Sequence, residues 1–215
     1  MSTRPRPTST LPKSPVSLHP TSIIDAHAVL TGTHLITIGP SAILHPRSRI
    51  YSTYLPITIS SGCIIHSRAI IGLTDPSSLN PSSPDPSSLD ELSSITLGPN
   101  VVVEPGAIVA AAEVGEGSVI GAGAEVGAGA VLGRGCRVGP RCKVGRGEVL
   151  DDGTVVYGEG RGERRVQRGG EVERLRGFVH EKQLEGLRRL IKSDLVKHGG
   201  ASAPAGEQGV ATASG

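Results

Sequence analysis

The sequence contains almost no aromatic side chains: its 215 residues include one Phe, three Tyr and no Trp. Globular domains of this size usually draw much of their buried area from aromatic rings. We therefore expect a narrow interior that small aliphatic side chains can fill. The 30 glycines indicate many tight turns.

Long apolar runs and a strong net charge are also missing. The longest apolar stretch, residues 101–112, is interrupted by Glu104 and Pro105 and falls short of the roughly 20 residues that cross a bilayer. A net charge of +2 provides no strong field for nucleic acid or an anionic membrane. These absences favour a soluble protein that does not bind nucleic acid.

The cysteine content is low as well. Cys63, Cys136 and Cys142 are too few and too irregularly spaced for a disulfide framework or a zinc site, which suits the reducing cytoplasm. Five prolines in the first 20 residues oppose an amphipathic targeting helix. Residues 1–15 are therefore predicted to be a disordered tail.

Aliphatic residues recur at every sixth position through the middle of the chain. The most regular register comprises Val114, Ile120, Val126, Leu132, Val138, Val144, Leu150 and Val156. The same spacing, with slips, reaches back to Leu18. A period of six fits neither a helix nor a long strand, but it fits a short strand and a turn repeated many times. It predicts an all-β solenoid over residues 16–160, with a Pro/Ser/Asp-rich loop inserted at 72–94.

If three hexapeptides form one coil, residues 18 apart stack about 4.8 Å from each other. Opposite charges then meet in three ladders: Glu116 with Arg134 and Asp152, Glu125 with Lys143, and Arg141 with Glu159. The offset from Val109 to Val114 is one residue short of the period. Glycines that directly follow the aliphatics, such as Gly121, are expected to adopt backbone conformations that other residues avoid.

The C-terminal part reads differently. Residues 161–198 are predicted to form a charged, glycine-rich linker and an amphipathic helix over 178–198 that packs on a flank of the solenoid. Residues 199–215 read as a disordered tail. The helix has these apolar positions: Val179, Leu184, Leu187, Leu190, Ile191 and Leu195.

Three segments resemble the dynactin subunit 6 family: ITIGPSAILHPRSRI at 36–50, RRVQ at 164–167, and the amphipathic helix. The resemblance implies a left-handed parallel β-helix of hexapeptide repeats with a C-terminal amphipathic α-helix. It also implies a non-catalytic structural subunit without a cofactor, at the pointed end of dynactin, which supports dynein-driven microtubule transport and cargo attachment. The implied partners are dynactin subunit 5 and the pointed-end actin-related protein, and the implied location is the cytoplasmic cytoskeleton.

The sequence also departs from the related proteins. They carry Arg-Gly-Asp ahead of the ITIGP-like segment, whereas this chain has Thr31, Gly32, Thr33 and His34 with a two-residue insertion. In the γ-class carbonic anhydrases, which have the same repeat, that arginine and aspartate help to join a trimer. Their absence weakens the expectation of a trimer here.

A hexapeptide-repeat enzyme is the alternative. His45 and His66 each follow an inward aliphatic residue and are 21 residues apart, which makes them candidate ligands for a carbonic anhydrase-like zinc ion. The coil that supplies two histidine ligands in those enzymes aligns with Glu104, Pro105 and Ala110, and offers no imidazole at either position. Otherwise the two histidines lie at coil corners and bond to the backbone.

An acyltransferase would need a histidine as general base. The regular coils from Val114 to Val156 contain none. The protein surface is therefore the remaining candidate for a functional site. Small residues between Gly121 and Leu132 are expected to face outward and to form a flat surface that binds another β-helix. The candidate interface comprises Ala122, Ala124, Ala128 and Ala130, together with Leu184, Leu187 and Ile191 of the helix.

Overall fold

The computed structural model describes residues 15–73, 93–158, 163–166 and 170–191. In 163–166 and 170–174 only the backbone is described. Residues 1–14 of the predicted tail at 1–15, the predicted tail at 199–215 and the tract 74–92 lie outside the described residues. Among the described residues, no helix combines the length and the apolarity that crossing a membrane requires.

The described residues form 21 short strands and one helix. The first nine strands are β1 (Val16–Leu18), β2 (Ile23–Ile24), β3 (Val29–Gly32), β4 (Ile36–Ile38), β5 (Ile43–Leu44), β6 (Arg49–Ser52), β7 (Ile57–Ile59), β8 (Ile64–Ile65) and β9 (Ile70–Gly72). After the gap come β10 (Ile95–Leu97), β11 (Val102–Val103), β12 (Ile108–Val109), β13 (Glu113–Val114), β14 (Val119–Ile120), β15 (Glu125–Val126), β16 (Val131–Leu132), β17 (Arg137–Val138), β18 (Lys143–Val144), β19 (Val149–Leu150), β20 (Thr154–Tyr157), β21 (Glu163–Val166) and the helix α1 (Gly170–Leu190).

Each strand from β1 to β17 pairs in parallel with the strand three places further along the chain, which confirms the predicted solenoid. The first sheet is ordered β1-β4-β7-β10-β13-β16-β19, and the third is β3-β6-β9-β12-β15-β18. The second sheet is β2-β5-β8-β11-β14-β17-β20, to which β21 is added. The three sheets are the faces of a triangular prism.

The coils differ in length at one corner. Val16 pairs with Ile36 and Ile36 with Ile57, whereas the regular coils pair Val131 with Val149. The extra residues of the early coils lie between the third and the first sheet, and the tract 74–92 is inserted at the same corner. The slips in the hexapeptide register therefore mark this corner.

In β1 to β20 the last aliphatic residue of each strand points into the prism, where Ile59, Leu97 and Val126 are almost completely buried. The residue two positions earlier also points inward, because side chains alternate along a strand. In the first sheet that place can hold a large aliphatic residue such as Ile57. In most other coil segments a small residue fills it, and the hydroxyl of Ser118 there donates to the Gly133 carbonyl at 3.0 Å. At the short offset before Val114, the buried methyl of Ala111 fills the interior.

The glycines that directly follow the aliphatics serve a different purpose from the one expected. Their φ values are ordinary; the left-handed conformation occurs two residues later, as in Gly117 and Gly123. A Cβ on Gly121 would instead lie 2.7 Å from the backbone of Gly139 in the next coil. These glycines are therefore required by the close approach of adjacent coils.

One of the three charge ladders forms a side-chain ion pair, and a second is joined by a hydrogen bond from the backbone. Lys143 Nζ lies 2.8 Å from Glu125 Oε2, and Asp152 Oδ1 accepts a 2.7 Å hydrogen bond from the backbone N–H of Arg134. The third ladder involves Glu159, which lies outside the described residues. An exposed ion pair of this kind contributes at most about 1 kcal/mol.

The chain after β20 contains more regular structure than the sequence indicated. Residues 163–166 form β21, which runs antiparallel to β20 and covers the edge of the second sheet. The helix begins at Gly170, earlier than the expected residue 178, and its described part ends at Leu190. The predicted linker is thus partly strand and partly helix.

Candidate functional site

Four polar residues form a column at the corner between the second and third sheets. Asp25, His45, His66 and Glu104 each directly follow the buried aliphatic residue of β2, β5, β8 or β11. The parallel register of these four strands places the residues side by side. The rings of His45 and His66 stack with centroids 4.5 Å apart and an interplanar angle of 28°.

Both histidines are held toward the neutral form. Burial lowers the pKa of His45 below its ordinary value of 6.5, and the charge of His66 lowers it further, while Asp25 opposes the shift. Burial likewise lowers the pKa of His66, with Glu104 opposing. His45 Nε2 is buried and has no hydrogen-bond partner among the described residues, so no bond from this ring nitrogen to the described backbone is formed.

The two carboxylates of the column are already engaged. Glu104 Oε2 accepts a 2.9 Å hydrogen bond from the Ala122 N–H, and Asp25 Oδ1 accepts one of 2.8 Å from the His27 N–H. Within the described ranges, no group of three or more His, Cys, Asp or Glu side chains is placed to hold a metal ion. The structure therefore brings the two candidate zinc ligands together without a third.

The helix lies against the second sheet, where α1 contacts β5. His180 Nε2–H donates to the Gly62 carbonyl at 2.7 Å, and Leu184 Cδ1 reaches the same turn. Ile43 and Ile64 point outward from the sheet yet are completely buried. The predicted packing of the helix on a flank of the solenoid is confirmed.

Beyond this contact a groove of about 1010 Å³ opens between the helix and the second sheet. The aliphatic side chains of Val102 and Val119 line it from the sheet, and those of Val179 and Leu184 from the helix. Charged residues of both signs surround these aliphatics: Glu116, Arg134, Arg137, Asp152, Arg176 and Glu181.

Arg137 lies in this groove on the outer face of β17. Partial burial lowers its guanidinium pKa from the ordinary value, the positive charge of Arg176 lowers it further, and Glu104 opposes. The groove thus places two like charges, one from the sheet and one from the helix, near each other.

Several apolar side chains of α1 are largely exposed, and two of them, Leu175 and Val179, also line the groove. The side chains of Leu175, Phe178, Val179 and Leu190 are between 59% and 80% exposed. Leu184, Leu187 and Ile191, the expected interface residues of the helix, are only partly exposed. The apolar surface available to a partner therefore differs from the predicted one.

Two of the four candidate interface alanines do not face outward. Ala124 and Ala130 are completely buried in the interior cluster, because each lies two positions before an inward aliphatic residue in the same strand turn. Ala128 is buried beside Leu73, and Ala122 is partly buried. The expectation of an outward alanine surface is wrong for the first two residues.

The groove and the exposed helix residues were missed in the sequence. The available signal was aliphatic residues at outward strand positions, such as Ile43, Ile64, Val102 and Val119. On a solenoid face that meets water these positions would be polar, as Thr58 is on the first sheet. Outward aliphatics on one face indicate that another element covers that face.

Comparison with known proteins gives both a family and a specific relative. A model of the bacterial transferase hexapeptide (six repeats) matches residues 111–146. Dynactin subunit 6 of Xenopus tropicalis is 33% identical over 147 residues, which make up 68% of this chain and 70% of that protein. A hexapeptide transferase family protein from Anaplasma phagocytophilum has a TM-score of 0.65 and 16% identity, over 81% of this chain and 95% of that chain.

Proposed function

This chain belongs to the hexapeptide-repeat family of left-handed β-helices, and we propose that within this family it is a non-catalytic structural subunit of the dynactin complex. Its place is the pointed-end subcomplex, where it supports dynein-driven transport along microtubules and the attachment of cargo. Its partners are dynactin subunit 5 and the pointed-end actin-related protein.

One observation carries this proposal: the similarity to dynactin subunit 6 extends over 147 residues. The general hexapeptide model matches only residues 111–146, where any two repeat proteins resemble each other. The dynactin similarity must therefore include irregular coils or the C-terminal part, which the repeat alone does not dictate. The structural likeness to a transferase family protein, at 16% identity, supports the fold alone.

The geometry of the histidine column also favours a structural role. A general base must reach the proton that it removes, and His45 Nε2 is closed off from solvent and bonds to none of the described residues. The two histidine rings stack on each other and the two carboxylates accept backbone hydrogen bonds. These contacts hold adjacent coils together at this corner. The enzymatic alternative would need these groups to rearrange.

The helix supports binding of a protein partner. Its exposed apolar side chains, such as Phe178 and Val179, form an apolar surface beside a charged groove, and an apolar centre with a charged rim is typical of protein interfaces. The solenoid supplies the rigid base on which this helix is held.

The test combines partner binding, mass and metal content. The chain is produced with dynactin subunit 5, and the complex is measured by light scattering and elemental analysis. We expect a metal-free complex that contains both chains. A zinc-containing homotrimer that ignores dynactin subunit 5, or acyl transfer from an acyl-coenzyme A, would establish the enzymatic alternative instead.

Matched variants locate the binding surface. Phe178→Asp combined with Val179→Asp places two charges on the exposed helix side and is expected to weaken the complex at least about tenfold, because apolar anchors dominate interface energies. Thr58→Asp, on the first sheet, is the control and is expected to bind normally. If the helix double variant and Thr58→Asp weaken the complex equally, the helix is not part of the interface.

A further inference from the structure

Three arginines and a histidine form a basic cluster at the corner between the second and third sheets, on the coils nearest the N-terminus. Arg47, Arg49, Arg68 and His27, together with Val29, line a depression of about 380 Å³. All three arginines are exposed. We refer to these three arginines and His27 as the arginine cluster.

The register of the coils stacks these charges directly. Val29 pairs with Arg49, and Arg49 pairs with Ile70, so the residues two positions earlier form a second row. In that row the Arg47 N–H donates to the His27 carbonyl at 3.2 Å, and Arg68 occupies the same place one coil later. Like charges placed opposite each other on adjacent strands destabilise a sheet.

The backbone of this row is strained in addition. Arg47 and Arg68 both have a φ of 62°, a left-handed conformation that suits glycine. The next two coils carry glycine at the equivalent place, in Gly106 and Gly123. Two arginines therefore occupy positions where glycine would relieve both the strain and the charge repulsion. A sequence that violates two local rules at one place points to a functional site.

Nothing recorded in the described part of the chain neutralises the three arginines of the cluster. The depression is lined by no carboxylate, and within the described ranges the recorded ion pairs include none of the three arginines. The carboxylate of Asp25, two residues from His27, is held by the His27 N–H and lies 3.0 Å from its Nδ1. The guanidinium groups of the cluster are thus open to an external anion.

We propose that the arginine cluster binds an acidic segment of a partner protein, with Asp or Glu side chains paired to the guanidinium groups. Planar guanidinium groups bind carboxylates through two parallel hydrogen bonds. The cluster is compact and the chain carries a net charge of only +2, which suits a short acidic segment better than a nucleic acid or membrane that needs an extended basic surface. This inference is independent of the complex in which the chain acts.

The test uses a labelled peptide of alternating glutamate and glycine, and fluorescence anisotropy with the full chain at low salt. The double variant Arg47→Gln with Arg68→Gln is expected to weaken binding at least about tenfold, since each lost charge-assisted contact is strong. Arg141→Gln with Arg146→Gln is the matched control: it removes the same charge, and Arg141 has a similar φ of 58°. This control is expected to bind within about twofold of the unmodified chain, because its arginines lie outside the cluster.

Thermal unfolding separates binding from folding. The Arg47 and Arg68 variant is expected to unfold at the same or a higher temperature, because like-charge repulsion is removed. Equal weakening by the two double variants, or equal binding of a glutamine-for-glutamate peptide, would overturn the proposal. So would binding to phosphatidylserine vesicles that depends on Arg47 and Arg68 when the peptide does not bind.

Discussion

Removing one interior isoleucine tests the arrangement of the whole prism. Ile59 is completely buried and lies between Ile38 and Leu97 of the adjacent coils. In Ile59→Ala the lost transfer free energy is about 2.4 kcal/mol, at about 0.8 kcal/mol for each carbon removed. The cavity adds to this cost, because the stacked backbones on either side hold the coils apart, and we expect a total loss of about 3–4 kcal/mol.

The assay is the free energy of unfolding in urea, with Thr58→Ala as the control in the same strand. Thr58 points outward between Thr37 and Thr96, so its loss is expected to cost less than about 1 kcal/mol. A similar loss from both variants, or a loss below about 1 kcal/mol from Ile59→Ala, would refute the inward and outward assignment on which the fold rests.

Three further predictions concern close coil contacts and buried groups. Gly121→Ala is expected to cost about 1–3 kcal/mol in thermal unfolding, because its Cβ would lie 2.7 Å from the next coil; Gly117→Asn, at an open turn with a φ of +67°, is expected to cost less than about 1 kcal/mol. Since the pKa values of His45 and His66 are lowered from 6.5, the unfolded chain binds protons more readily, so stability should fall as the pH drops below about 6.5. A His45→Gln variant should show a flatter pH profile, and an unchanged profile would exclude this pair as its origin. Burial raises the pKa of Cys63 to about 12, so its alkylation by iodoacetamide should be on the order of a thousandfold slower in the native chain than in urea, and comparable rates would contradict its burial.

The prism could be predicted because the spacing of the aliphatic residues equals the number of residues on each of its faces. Each of Val114, Ile120 and Val126 ends one strand on one face, and a period of six has few other structural explanations. The inward position of Ala124 could have been predicted from the same reasoning, because Ala124 lies two residues before Val126 and side chains alternate in a strand.

The structure after β20 could not be predicted in the same way. Residues 163–166 and the first turns of α1 are rich in charge and glycine and show no apolar period that would distinguish strand, helix and loop. The pairing of β21 with β20 depends on the position of an open sheet edge, which is a property of the folded coil. Such non-local pairing leaves no local signal.

The functional candidates were accessible in part. His45 and His66 are 21 residues apart, which matches one of the longer coils, and the structure stacks their rings. Arg47 and Arg68 have the same separation, so the same count identifies the arginine cluster once the coil length is known. What the sequence could not supply was that coil length, because the irregular corner residues obscure it.

Length variation in this protein is concentrated at a single seam of the prism, between the third and first sheets. Closing a loop that is twice as long costs only about 0.6 kcal/mol more, and a segment leaving from this seam does not interrupt the stacking of the other two faces. Insertions at this seam are therefore expected to lower the stability of the fold only slightly. The seam is a place where evolution can vary the protein while the rest of the coil stays constant.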